Sequence, residues 1–207
     1  MSWTELEREA LVETLRAADP EAPTLCEGWS VHRLTAHLVL REHRPDLAAR
    51  DATAPPGHEP QLSRLIAGPE APGFARLVDR FAGGPPRWSP VRWGGDSVNL
   101  VEYVVHHEDV RRGGAEPAEP RVLPTDMVRA LWDRLAALGR MAYRRSPVGV
   151  VHVVPGGPRR VVRRRPDAVV LSGDPVELLL HALGREDAAD VELLGRPETV
   201  EEFAARS

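Results

Sequence analysis

The sequence contains no lysine: all 27 of its basic residues are arginine. Without an ε-amino group the chain forms no Schiff base with a carbonyl or pyridoxal phosphate, and it lacks the lysine of a phosphate-binding P-loop. A single cysteine, Cys26, excludes an internal disulfide and a cysteine-rich zinc cluster. No apolar run approaches the ~18 residues that a membrane-spanning helix needs. The start, Met1-Ser2-Trp3-Thr4-Glu5, has neither the basic nor the apolar region of a secretory signal. These absences predict a cytoplasmic protein with no membrane partner. A net charge of −4 argues against a nucleic-acid partner. What is present is ordinary for a globular chain: 42% hydrophobic and 28% charged residues over 207 positions, room for one main domain and a small appendage.

Periodicity divides the chain. A first helix is expected over Thr4 to Ala18, with capping-box spacing at Ser2/Glu5 and Thr4/Glu7, a stripe of Leu11, Leu15 and Ala18, and a stop at Pro20. Ser30 is placed to cap a second helix running to about His43, with Val31, Leu34 and Leu38 inward. Residues 45 to 72 read as a long loop with a helical piece near Leu62 to Ala67. Phe74, Leu77, Val78 and Phe81 mark a short amphipathic helix closed by Gly83-Gly84-Pro85-Pro86. Arg87 to Gly95 reads as loop. Ser97 is expected to cap a helix to about Arg112, before Gly113-Gly114. Another helix, with Val128, Leu131, Leu135 and Leu138, runs from Pro124 or Thr125 to about Ser146.

Beyond that point the period changes from 3.6 to 2. Strands are expected over Val148–Val154, Arg160–Arg164, Ala168–Leu171 and Val191–Leu194. A helix starts at Asp174-Pro175, and a last short one at Thr199. The expected architecture is mainly α: a four-helix bundle over residues 1–146, then a small α+β domain over 147–207.

The residues that point to chemistry lie on two of the helices. Glu102 and His106 are four apart and project from one helix face, so a carboxylate oxygen and an imidazole nitrogen can bind one metal ion. An exposed helix pair gives the same spacing. His37 follows Leu34 by three and leans toward the packed side of its own helix. Bundles build metal sites from inward residues on facing helices, and three protein ligands leave a position open for water or substrate. Spacing alone does not join the two helices.

The run Gly28-Trp29-Ser30-Val31 with Leu34, Ala36, His37 and Leu38 resembles the second-helix signature of the mycothiol-dependent maleylpyruvate isomerase and DinB-like superfamily. Glu102-x-x-x-His106-His107-Glu108-Asp109-Val110-Arg111 resembles its second metal motif. Leu171-Ser172-Gly173-Asp174-Pro175, with Leu178-Leu179-Leu180 and Gly184-Arg185, resembles the small C-terminal domain of the isomerase branch. The resemblance implies a DinB-like four-helix bundle holding a divalent metal, usually zinc, through His37, Glu102 and His106. It also implies mycothiol as cosubstrate and a small electrophilic substrate, in an isomerase or a thiol S-transferase. The Ala-, Pro- and Gly-rich, lysine-free composition suits a GC-rich, actinobacterial genome.

The other candidates carry less. Arg185 could grip an anionic thiol cofactor, or simply sit at a helix C-terminus. His107 points about 100° away from His106 and suits a bond to a neighbouring helix. Asp109 could orient an imidazole or pair with Arg112. Cys26 could react or bind metal, or be a small buried residue. The arginines of 159–165 suit a solvated sheet edge. No catalytic side chain is assigned, and a homodimer is possible. A non-catalytic metal-binding stress or regulatory module and a metal-dependent hydrolase fit the same ligand set.

Overall fold

The structure is a computed structural model that describes residues 2–54, 58–67, 71–116 and 118–205, apart from the side chains of Ser97 and Val98. The chain divides into two compact units, Met1–Pro120 and Arg121–Ser207.

The first unit is built on four helices. Helix α1 (Trp3–Ala17) starts in a capping box: the Ser2 hydroxyl accepts from the Glu5 amide, and the Glu5 carboxylate accepts from the Ser2 amide. Helix α2 (Val31–His43) is capped by Ser30, whose hydroxyl accepts from the Arg33 amide. Two short helices follow, α3 (Pro45–Asp51) and α4 (Pro60–Ala67). The expected loop of 45 to 72 therefore contains one more helix than its patterning revealed. Pro45 sits in the first turn of α3, where its missing N–H costs nothing.

Helices α5 (Phe74–Ala82) and α6 (Pro90–Arg112) complete the bundle. Helix α6 begins before the expected Ser97, whose capping role falls outside the described side chains. Its first turn, Pro90 to Trp93, was expected to be loop. It joins the rest across a kink at Gly95, where φ is 47° and ψ −147°, a conformation glycine tolerates.

Helix α1 packs on α5 and α6, and α2 packs on the same two. Leu11, Leu15, Leu34, Leu38, Leu77 and Phe81 are buried between them. At one end the fully buried Glu42 is held by Arg8 at 2.8 Å and by the Tyr103 hydroxyl. Burying a charge this deeply requires such partners.

The second unit opens with α7 (Thr125–Ala142). A four-stranded sheet follows: β1 (Gly149–Val153), β2 (Arg159–Arg163), β3 (Ala168–Ser172) and β4 (Glu192–Leu194). The order is β2-β1-β3-β4, with β1 parallel to β3 and the outer pairs antiparallel. Helix α8 (Pro175–Ala182) is buried throughout and α9 (Pro197–Ala204) ends the unit. Helix α7 packs on α8 and β2. The division thus falls before α7, not near 147. The change of period marks a change of element type, and the stripe of α7 (Met127, Leu131, Leu135) finds its partner surface in the α+β unit. No described helix is long and apolar enough to cross a membrane.

Candidate metal centre

The first unit brings His37, Glu102 and His106 together, with one ligand atom from each all lying within 4.8 Å of one another. Helix α2 supplies His37, and α6 supplies the other two. Oε1 of Glu102 stands 3.2 Å from Nε2 of His37 and 3.3 Å from Nε2 of His106. The two imidazole rings meet edge to face, 5.2 Å apart. Ligand atoms about 2.0–2.1 Å from a tetrahedral zinc ion stand about 3.3 Å from one another, so these separations fit a shared ion. The donor set, two imidazoles and a carboxylate, suits zinc among divalent metals.

Electrostatics support the same use. Burial pushes the Glu102 carboxyl up, but hydrogen bonds from His106 and His37 and the nearby Arg41 charge outweigh it and hold the group well below the usual carboxylate range. Glu102 is therefore an anion. Burial pulls His37 down, which keeps its imidazole neutral and ligand-competent near pH 7. For His106, burial pulls down, but contacts with Asp109, Cys26 and Glu102 hold it well above the ordinary histidine value. A nitrogen facing a carboxylate oxygen needs a positive charge between them, either a proton or a metal ion.

The far side of His106 is fixed. Its Nδ1 donates to Asp109 Oδ2 at 2.8 Å, which leaves Nε2 for the metal side. Asp109 also accepts from the Cys26 thiol at 3.2 Å, and its backbone carbonyl accepts from the Leu25 amide at 3.0 Å. The turn before α2 is thereby clipped to the end of α6. Gly113 permits this, because a Cβ there would lie 2.3 Å from Thr24 Cα. Trp29, in the same turn, packs its ring 5.2 Å from that of His37. A cavity of about 350 Å³ beside His37 is lined by Glu27, Trp29, Asp51 and Glu59 among others.

The remaining candidates fall elsewhere. His107 turns to α1, with Nδ1 2.8 Å from Glu7 and Nε2 2.7 Å from Thr14. Arg112 pairs with Glu108 at 2.6 Å, leaving Asp109 to the imidazole. Arg185 lies in the second unit and donates to the Leu183 carbonyl at the end of α8. Arg159, Arg160 and Arg163 sit on β2, an edge strand, where Arg160 stacks over Trp132. Two residues at the centre escaped the sequence reading. Arg41 Nε lies 3.3 Å from Glu102 Oε1, and Asn99 Oδ1 accepts from Arg41 at 3.0 Å. The available signal was helical spacing: Arg41 follows His37 by four and Asn99 precedes Glu102 by three.

Bundle and cluster together define a class, that of helical bundles with an inward His/Glu/His ligand set. Residues 3–89 match the family described as the mycothiol maleylpyruvate isomerase N-terminal domain, and the N-terminal unit belongs to that family. The match includes His37 and ends before Glu102 and His106. Among solved structures, the crystal structure of a histidine-to-alanine mutant of the mycothiol-dependent maleylpyruvate isomerase is similar, at TM-score 0.57 and 18% identity, covering 92% of this chain and 90% of that one. This likeness shows that the mainly α fold with its α+β C-terminal part is shared. A second structure, titled as the mycothiol-dependent maleylpyruvate isomerase, aligns over the same shares at 17% identity and TM-score 0.41. No curated protein matches.

Proposed function

We propose that the chain binds one divalent metal ion, zinc foremost, through His37, Glu102 and His106, and uses a small thiol to isomerise or S-alkylate a small electrophile. Mycothiol is the thiol that the family points to, and the cytoplasm is where such soluble reactants meet. The observation that carries this reading is the convergence of two imidazole nitrogens on one carboxylate oxygen at 3.2 and 3.3 Å. With three protein ligands, a bound zinc ion would supply a Lewis acid that lowers the pKa of a thiol at its fourth position.

The chain's own residues do the positioning. Asp109 holds the His106 ring by its Nδ1–H and fixes which nitrogen faces the centre. Trp29 packs against His37 and shields it from water. Glu102 keeps its charge despite being largely buried, so no proton competes for its oxygen near neutral pH.

The test is elemental analysis of untagged protein beside the Glu102→Ala/His106→Ala double variant. About one metal per chain, lost in the variant, is expected. Equal metal content in the two proteins, or none in either after reconstitution, overturns the reading.

A further inference from the structure

Three groups meet at one oxygen of Glu102, and one of them is no metal ligand. Oε1 faces His37, His106 and also Nε of Arg41, 3.3 Å away. Arg41 lies one turn after His37, on the same helix face. Its η-nitrogen donates to Asn99 Oδ1 at 3.0 Å, and the Asn99 amide group donates to the Val91 carbonyl at 2.7 Å. That second bond fixes the Asn99 amide with its oxygen toward Arg41. Asn99 is 3% exposed, so the anchor is rigid. The Arg41 side chain is 16% exposed, enough for a small ligand to reach and sheltered enough to strengthen a charge contact.

A guanidinium carries its charge at every physiological pH. At Oε1 it occupies the ground that a divalent cation would take, and the two positive charges repel. Its planar fork of donors matches a carboxylate.

We propose that Arg41 is the anion-recognition residue of this centre: it partners Glu102 while no metal is bound, and with metal on Oε1 it stays anchored on Asn99 and receives a carboxylate of the electrophilic substrate. The inference rests on the proposed metal site and narrows the substrate class to electrophiles that carry a carboxylate. A neutral electrophile offers nothing in place of the contact that Arg41 gives up.

The test uses the full chain, with zinc affinity measured by chelator competition and fumarate binding to the zinc-loaded protein measured by calorimetry. Arg41→Gln is expected to bind zinc several-fold more tightly, because a competing cation is gone, and fumarate about tenfold or more weakly. Arg41→Lys, which keeps the charge without the fork, should fall between. Weaker zinc binding in Arg41→Gln would make the residue a prop for Glu102 and overturn the proposal. So would unchanged fumarate affinity in both variants while zinc still binds. A wild-type chain that holds no zinc fails one step earlier, at the metal site itself.

Discussion

Asp109 decides which nitrogen of His106 is available. It is fully buried, and its carboxylate takes the Nδ1–H of that ring. Asp109→Asn keeps the shape and removes the charge, and zinc affinity should fall about 10–100-fold, as for other residues behind metal-binding imidazoles. Chelator competition measures it; an unchanged affinity would show that His106 is oriented by other contacts.

His152, in the second unit, is a different case. It is fully buried on β1, and neither ring nitrogen has a hydrogen-bond partner. Burial, with the charges of His181 and Arg160, pulls its pKa down to about 4. The folded pKa of this base lies below the unfolded one, so the unfolded chain takes the proton first. Its contribution is complete above about pH 6.5 and is lost as pH falls toward about 4, on the order of 2–3 kcal/mol. His152→Phe should flatten that part of a stability-versus-pH curve, read from denaturant midpoints at pH 7, 5.5 and 4.5. A curve of unchanged slope in the variant would assign the acid sensitivity elsewhere.

Elements here are held by close backbone approaches. The turn before α2 carries Leu25 and Cys26 onto the last turn of α6, and Gly113 is the residue that lets it arrive. Gly113→Ala must push backbone against backbone at Thr24, and a loss of about 1–3 kcal/mol is expected, comparable with overpacking a core. Because the same contact supports Asp109, zinc affinity should drop along with the melting temperature. Gly113 reads in sequence as a helix stop, which hides this steric role. Likewise α3 was invisible to patterning, since seven residues with one buried position carry too little periodicity to stand out. The α2 and α5 stripes were legible because their inward residues recur at helical spacing and are in fact buried.

At the scale of the whole molecule, the proposed ligands and every residue seen to support them lie within Met1–Pro120. A fragment ending at Pro120 should therefore fold as a helical unit and bind about one zinc ion, checked by circular dichroism and elemental analysis. A fragment that is folded yet metal-free would show that the second unit completes the site.

The sequence by itself determined the element types, the inward faces of α1, α2 and α5, and the helical spacing that sets Glu102 beside His106. These are local properties, written in period and capping. Only the tertiary structure decided what crosses between helices: that His37 reaches the same oxygen as His106, that Arg41 contends for it from an Asn99 anchor, and that α7 belongs with the sheet. Each of these depends on how separated faces pack. Packing is settled by the volume and shape of the whole core, which no single window of sequence contains.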